Sequence, residues 1–241
     1  MDDSPIAHKL AAFATLSDAD RARLSKMQRR RRIFVAGRDL VSQGQTKQAA
    51  YILMKGWVCS YKIQPDGTRQ IVDIQIPGDF LGLRSVLLRT SDHGFEPITD
   101  IEAAEVLASD LTETLAASPR LGLAILWAAS RDEAMVVEHL VGIGRRDATA
   151  RVAHFLLELG ARLALVDMGN AAGFACPLTQ QQLADTIGLS TVHVNRVLRQ
   201  LREDGLMTFR DGHVQFDDRD GLAALAEFDP TYLDHTGPLL P

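Results

Sequence analysis

The hydrophobic pattern changes period along the chain. Between residues 32 and 108, short runs alternate apolar and polar positions, and turn-forming residues such as Pro65-Asp66-Gly67 separate the runs. The strands that this alternation predicts include residues 51–54, 57–63 and 70–76. Closely spaced strands with regular turns favour a β-sandwich or a jelly-roll barrel. Residues 6–31, before this region, are predicted to form short helices, with Ser17 as an N-cap.

The longest helical pattern begins at Pro119, a residue that suits the first turn of a helix, and continues to about Ile143. Residues spaced alternately by four and three form a seam along it. The seam consists of Leu121, Ile125, Ala128, Asp132, Met135, His139 and Gly142. A heptad seam predicts that the helix pairs with its twin in a parallel dimer. The alternative is an amphipathic helix that packs only on its own barrel.

Residues 178–206 carry the most specific pattern, two short helices on either side of Gly188. Thr179 is predicted to cap the first helix, and Ser190 the second. Gly188 suits the sharp turn between them because glycine readily adopts a positive φ. The apolar residues of the second helix, at 194, 197, 198 and 201, predict a buried stripe. The pattern therefore predicts a helix-turn-helix whose second helix fits a DNA major groove.

A predicted hairpin follows the helix-turn-helix at once. Apolar and aromatic residues within 207–216 flank Asp211-Gly212, a dipeptide that favours a tight hairpin turn. This order is typical of a winged helix and disfavours the alternative, an ordinary pair of helices in a helical domain. The neighbouring segments are predicted as a hinge at 144–147, a packing helix at 148–163, a loop at 166–177 and a surface or disordered tail at 229–241.

Composition limits the alternatives further. The 241 residues carry a formal net charge of −5, which does not exclude DNA binding because phosphate contacts need only a local basic face. Cys59 and Cys176 are too few for an iron–sulfur cluster, and each is expected to be a small buried side chain. The apolar runs are too short to span a membrane and the N-terminus lacks a secretion signal, so we expect a cytoplasmic protein. The basic run Gln28–Ile33 is expected to be a solvated strand edge rather than a binding patch.

These patterns together resemble the CRP/FNR (catabolite activator/fumarate–nitrate regulator) family of bacterial transcription regulators. Residues 179–198 match the helix-turn-helix pattern of that family throughout, and Gly78-Asp-Phe-Leu-Gly82 resembles a segment of its sensor barrel. The resemblance covers nearly the whole chain. It implies an α+β fold with an N-terminal jelly-roll barrel of the cyclic-nucleotide-binding type, a long dimerisation helix and a C-terminal winged helix-turn-helix. The expected bounds are 1–118 for the N-terminal helices and barrel, 119–146 for the dimerisation helix and hinge, 147–218 for the winged helix and 219–241 for a C-terminal helix and tail.

The resemblance also implies roles for residues of the helix-turn-helix. Arg196 matches the base-reading arginine of the family, whose guanidinium donates two hydrogen bonds to guanine O6 and N7. The positions that match phosphate contacts are Thr179, Gln180, Ser190 and His193. The face expected to meet the bases consists of Thr191, Val192, Asn195, Arg196 and Arg199. Val192 stands where many members carry an acidic residue. Valine contacts a thymine methyl, whereas glutamate accepts a hydrogen bond from cytosine N4. We therefore predict an operator that differs from the family's best-known consensus at that base pair.

The effector is left open by the resemblance. Members that bind cyclic AMP carry a glutamate after the Gly-Asp-Phe-x-Gly segment and an Arg-Ser pair further on, whereas here Leu83 stands at the first position and residues 88–95 contain no such pair. The expected pocket residues are Gly82, Leu83, Arg84, Val136 and Val137. The last two are apolar where hydroxyls would meet adenine, so cyclic AMP is disfavoured. Either another apolar or anionic ligand binds here, or the protein is controlled by its abundance.

The sequence thus predicts a homodimeric, sequence-specific transcription regulator that binds a palindromic DNA operator, with RNA polymerase as a further partner. No catalytic or metal-ligating residues are predicted. One alternative is a nucleotide- or small-ligand-binding barrel with a helical tail that does not bind DNA. The other is a cupin-like enzyme, which is disfavoured because its metal needs several histidines and His93 is the only one within residues 32–108.

Overall fold

The computed structural model describes residues 4–46, 49–83, 88 and 90–233. Arg84, one of the expected pocket residues, lies outside them. Contacts divide the described chain into two units. The first contains residues up to 68 together with 72–132, and the second contains 69–71 together with 133–233.

Two antiparallel sheets form the first unit, which confirms the predicted β-sandwich or jelly-roll type of fold. The strands are β1 Arg31–Phe34, β2 Ala50–Lys55, β3 Val58–Ile63, β4 Arg69–Gln75, β5 Phe80–Leu81, β6 Gly94–Pro97 and β7 Ile101–Val106. One sheet has the strand order β1-β7-β2-β5 and the other has the order β4-β3-β6. Gly67, with φ 84°, lies in the predicted turn between β3 and β4, where a positive φ favours glycine.

Helices cover one side of this sandwich. They are α1 Pro5–Ala11, α2 Asp18–Met27, α3 Ala108–Ala117 and the long α4 Pro119–Arg145, whose residues up to Asp132 belong to this unit. The predicted cap Ser17 forms a capping box with Asp20, each side chain accepting a hydrogen bond from the other residue's backbone N–H. One core cluster joins α1, α2, α4 and the strands β2 and β7, so the apolar side chains of the helices complete the core of the sheet.

Residues 31–33 of the basic run Gln28–Ile33 lie on a strand edge, as expected, whereas Gln28 is buried at the C-terminal cap of α2. β1 is the outer strand of its sheet, and Arg31 and Arg32 lie 3.2 and 3.3 Å from the carboxylates of Glu102 and Glu105 on the adjoining strand β7. These pairs are exposed and each contributes at most about 1 kcal/mol. Their charges instead make the edge unsuitable for pairing with another strand.

The predicted dimer seam on α4 is wrong for its apolar residues, because they are buried within their own chain. Leu121, Ile125, Ala128 and Met135 are at most 5% exposed. Asp132 lies 3.7 Å from Lys9, and His139 is hydrogen-bonded to Glu158. The error has a physical reason: α4 is apolar on two faces, and both repeat with heptad spacing, so the pattern alone does not identify the inward one.

The second unit is a winged helix built on α5, Ala148–Ala164, which is capped by Asp147. The helix-turn-helix follows as α6 Gln180–Ile187 and α7 Thr191–Glu203, and the predicted hairpin as β10 Met207–Arg210 and β11 His213–Phe216. The chain then forms α8 Arg219–Ala226 and a 3₁₀ turn, Pro230–Leu233. The predicted helix at 148–163 is confirmed as α5. Of the predicted hinge at 144–147, residues 144 and 145 belong to α4, and residues 146 and 147 separate the two helices.

Two of the predicted irregular segments are in fact ordered. Residues 166–177, predicted as a loop, contain β8 Gly169–Asn170 and β9 Gly173–Ala175, which extend the wing to the order β10-β11-β9-β8. A Cβ on Gly173 would lie 2.1 Å from the carbonyl oxygen of Val214, so close approach of β11 requires glycine, a residue that strand patterns disfavour. The predicted tail is also wrong for 230–233, where Leu233 is fully buried; residues 234–241 lie outside the described part.

Candidate nucleic-acid interface

The turn of the helix-turn-helix is shaped by two caps and one glycine. The hydroxyl of Thr179 accepts from the backbone N–H of Gln182, and the Gln182 side chain accepts from the Thr179 N–H at 2.9 Å. Gly188 ends α6 with φ 67°, in the left-handed region that favours glycine. Ser190 then caps α7 by accepting from the N–H of His193 at 3.2 Å. All the predicted cap and turn residues therefore have their predicted places.

The recognition helix α7 has one buried and one exposed face. Its buried stripe consists of Val194, Val197, Leu198 and Leu201, as predicted. The predicted contact residues lie away from this stripe. Thr179, Gln180, Ser190, Val192, Asn195, Arg196 and Arg199 are exposed, and Thr191 and His193 are half-buried. Residues three or four apart share one side of a helix, so Val192, Asn195, Arg196 and Arg199 form a single surface, the reading face.

Val192 is the most unusual residue of the reading face, because its apolar side chain is 81% exposed. The described residues leave this side chain largely uncovered, although burying a valine contributes about 1.5 kcal/mol or more. The side chain stands one helical turn before Arg196, which is the position expected from the sequence. An exposed valine beside an exposed arginine offers an apolar and a cationic contact on the same surface.

Positive charge is concentrated on this helix although the chain is acidic overall. Arg196, Arg199 and Arg202 follow one another at three-residue intervals, and the positive end of the helix dipole lies at Thr191. The acidic residues Glu203 and Asp204 come only at the opposite end of α7. The reading face is therefore locally basic, which a phosphate backbone requires.

Gln181 is a residue of this site that the sequence did not reveal. Its Oε1 accepts a hydrogen bond of 2.7 Å from the hydroxyl of Thr191, the first residue of α7. Its Nε2 donates to Asp185 at 2.6 Å, which fixes the orientation of the amide. Gln181 thus ties the first turn of α6 to the first turn of α7. The contact spans ten residues across a turn, so no helical periodicity predicts it.

The wing lies beside the helix-turn-helix in the same unit. Asp211 and Gly212 both have a positive φ, of 51° and 70°, which is the geometry of the predicted tight hairpin. Arg210 and His213 flank the turn and are exposed. The tip of the wing thus presents two nitrogen-bearing side chains, which suit contact with phosphate oxygens.

A buried polar cluster lies on the inner side of α5. Glu158 is fully buried, and its carboxylate accepts hydrogen bonds from Tyr232 at 2.7 Å and, at 3.0 Å, from a ring nitrogen of His139. Burial alone would raise the pKa of Glu158, but these bonds and the charges of His139 and Arg162 lower it below the ordinary value. Glu158 therefore stays ionised and joins the end of α4 to the C-terminal 3₁₀ turn.

The expected effector residues occupy unlike environments. Gly82 has φ 63°, and Leu83 is half-buried against the core cluster of the first unit. Val136 and Val137 on α4 are 45% and 52% exposed. Whether these residues meet a ligand stays a prediction.

Other chemistry is limited within the described residues. Cys59 and Cys176 are buried, as expected, and burial raises the pKa of the Cys176 thiol to about 12. Across the described ranges, no three His, Cys, Asp or Glu side chains are grouped so that they could hold a metal ion. None of the helices in this part of the chain has the length and apolarity needed to cross a membrane.

Comparison with known proteins agrees with this architecture. Residues 150–225 match the Crp-like helix-turn-helix domain, and residues 31–118 match the cyclic nucleotide-binding domain. The nitrogen fixation regulation protein FixK of Bradyrhizobium diazoefficiens is 30% identical over 88% of this chain and 90% of its own. The protein of the same name from Rhizobium meliloti is 31% identical over 73% of this chain and 76% of its own.

A solved structure extends the likeness to three dimensions. FixK2 of Bradyrhizobium japonicum is 26% identical and superimposes with a TM-score of 0.72, over 81% of this chain and 96% of that one. The relatives are regulatory proteins, among them the transcriptional activator protein FnrA of Stutzerimonas stutzeri, and this argues against the cupin-like alternative. The two matched domains and the extent of the likeness lead to one conclusion: the chain belongs to the CRP/FNR family of transcription regulators.

Proposed function

We propose that the protein is a cytoplasmic homodimer that reads a palindromic DNA operator with the exposed face of α7. The observation that carries this is the reading face itself, with Arg196 and Asn195 exposed beside an uncovered Val192. Arginine recognises guanine bidentately, and valine contacts the methyl of thymine. The operator that fits such a face has a G·C pair and a neighbouring T·A pair in each half-site.

The dimer is proposed to form through the outer face of α4. Leu123, Leu126 and Leu140 on this helix are 42%, 61% and 67% exposed. The exposed positions 123, 126, 130, 133, 137, 140 and 144 alternate by three and four residues, the spacing of a parallel two-helix seam. This outer seam lies on the side opposite to the seam that was wrongly predicted. It provides the apolar surface that a second copy would bury.

We propose that cyclic AMP does not control this protein. Leu83 stands where the cyclic-AMP-binding members of the family carry the ribose-binding glutamate, and it packs against the core cluster. RNA polymerase is proposed as the partner through which the bound dimer acts, in keeping with the family. Calorimetric titration with cyclic AMP is expected to show no saturable heat of binding. Saturable binding would contradict the proposal that the protein is independent of cyclic AMP.

The experiment that tests DNA recognition is site selection from random duplexes, followed by gel shift on the selected site. Arg196→Ala is expected to weaken specific binding by about 5- to 150-fold for each half-site, because every half-site loses one bidentate base contact. Arg219→Ala is the matched control. Arg219 is exposed at the start of α8, and its substitution removes the same charge from the same unit. Equal binding by the Arg196 variant and the wild type would refute the assignment of α7.

A further inference from the structure

Arg151, in the first turns of α5, reaches the C-terminal ends of two other helices. One guanidinium nitrogen, Nη1, donates to the carbonyl oxygen of Ile187 at 3.0 Å. The other, Nη2, donates to the carbonyl oxygens of Ile143 and Arg146 at 3.2 and 3.1 Å. Ile187 is the last residue of α6, and Ile143 and Arg146 lie at the end of α4. A single side chain thus holds three backbone acceptors from two helix ends.

These carbonyls need such a partner. The last four carbonyl groups of a helix lack an intrahelical donor, and they carry the negative end of the helix dipole. A guanidinium suits two converging helix ends because its donors lie in a rigid planar fork and its charge is permanent. Lysine has the charge but not the fork.

Glycines line the path of this side chain. Gly142 lies against the aliphatic stem of Arg151, where an added Cβ would stand 3.8 Å from Cγ. Gly188 lies at its other end, where an added Cβ would stand 3.9 Å from Nη1 and equally far from Ile143 Cγ1. The end of α4 and the turn between α6 and α7 therefore meet at Arg151, within the second unit.

We infer that Arg151 is a positioning residue that sets the separation of the two recognition helices in the dimer. The inference rests on the proposed function, since it needs α4 to be the dimer helix and α7 the reader. Only residues 188–190 connect the end of α6 to the start of α7. Fixing the end of α6 therefore also fixes the position at which α7 begins. Arg151 then transmits the geometry of the dimer helix to the reading face without touching DNA.

The test measures how strictly the full-length protein selects operator spacing. The probes are duplexes with the selected half-sites at their natural separation and at one or two base pairs more or less. Each added base pair rotates one half-site by about a tenth of a helical turn, so the wild type is expected to lose about tenfold or more. Arg151→Gln is expected to reduce this penalty to about threefold or less, and Arg151→Lys to give an intermediate value.

Arg145→Gln is the control, since Arg145 is exposed at the end of α4 and its loss changes the charge equally. The control is expected to keep the wild-type spacing penalty. A uniform loss of affinity at every spacing in the Arg151→Gln protein would overturn the inference, because it would show a role in stability alone. If Arg151→Gln fails to fold, the spacing penalty of Arg151→Lys provides the test instead. A penalty below the wild-type value supports the inference, and a uniform loss of affinity at every spacing overturns it.

A second measurement separates this inference from the proposed function. Hydrogen exchange of the protein without DNA is expected to accelerate in Arg151→Gln around residues 143–147 and 187–189, and to stay unchanged in the rest of α5. Unchanged exchange at both helix ends would refute the contact-based role even if the protein is a DNA-binding dimer. A wild type that is monomeric, or selects no palindrome, would instead refute the proposed function and with it the role in spacing.

Discussion

The ammonium group of Lys9 lies 2.7 Å from Oδ1 of Asp79, and the two side chains are only 3% and 6% exposed. The other carboxylate oxygen of Asp79 accepts from the backbone N–H of Ile76 at 2.9 Å. Lys9 also stands 3.7 Å from Asp132 of α4. One buried ammonium therefore joins the first helix, the Gly-Asp-Phe-Leu-Gly turn and α4.

Lys9→Met is expected to lower the free energy of unfolding by about 3–5 kcal/mol, because it leaves the Asp79 charge buried without its cation. The exposed pair of Lys26 and Glu113, at 2.8 Å, is the control, and Lys26→Met should cost about 1 kcal/mol or less. Denaturant unfolding measures both variants. A Lys9 variant no less stable than the Lys26 variant would show that the buried pair contributes no more to stability than the exposed one.

Leu140→Asp is expected to convert the dimer into a folded monomer, since a charge would stand in the outer seam at a residue that is 67% exposed in the protomer. Sedimentation velocity reports the mass, and circular dichroism reports the fold. Ile33→Asp is the control, because it places the same charge at a side chain that is 79% exposed on β1, a different element. If Leu140→Asp stays dimeric, or if Ile33→Asp becomes monomeric, the outer seam is not the interface.

Val192→Glu is expected to change the selected operator from thymine to cytosine at one symmetric position of each half-site. Glutamate accepts from cytosine N4, and each matched pair discriminates by about 1–3 kcal/mol. Site selection with both proteins in parallel measures the change. Gln200→Glu, on an exposed later turn of α7, introduces the same charge and should leave the consensus unaltered. An identical consensus for wild type and Val192→Glu would show that this residue does not face a base.

The lowered pKa of His154 predicts that the protein loses stability in mild acid. Burial, and after it the charge of Arg146, lower its pKa from 6.5 to about 4. The other charged groups around it are Glu158, Glu138 and His139. Because the unfolded chain binds a proton on this imidazole more readily than the folded chain, the free energy of unfolding falls as pH drops from 6.5 towards 4. The full shift corresponds to about 3 kcal/mol.

His154→Gln is expected to flatten this part of the stability profile. His213→Gln, at the exposed wing tip, should keep the wild-type slope. Urea unfolding above about pH 5 isolates His154 from Glu158, whose lowered pKa places its own loss of stability in stronger acid. A steep slope that persists in His154→Gln would assign the pH dependence to another group.

The sequence predicted well the features that depend on neighbouring residues. Turn and cap residues act on neighbours only a few positions away, so a short stretch of sequence is enough to predict them. Examples are Gly188, Asp211-Gly212, Ser17 and Ser190. The resemblance to the family extended these local patterns to the whole fold. The reading face followed directly, because the buried stripe of α7 determines which side chains are left outside.

Contacts between distant segments were not predictable in this way. Lys9 meets Asp79 seventy residues later, and Arg151 meets Ile187 thirty-six residues later, so neither pair forms a period. The choice between the two apolar faces of α4 depends on which one meets α1 and α2, and no pattern within α4 records that. The strands β8 and β9 were missed because their glycines serve close backbone approach rather than side-chain packing.

The two thiols make the chain its own reporter of local opening. Cys59 lies in the first unit and Cys176 in the second, and both are buried. The thiolate is the reactive form, and the raised pKa of Cys176 makes it scarce at neutral pH. A thiol-specific reagent added to the native protein therefore labels each cysteine at the rate at which its own unit opens. Peptide mapping of the labelled chain would tell which unit loosens first, without any engineered probe.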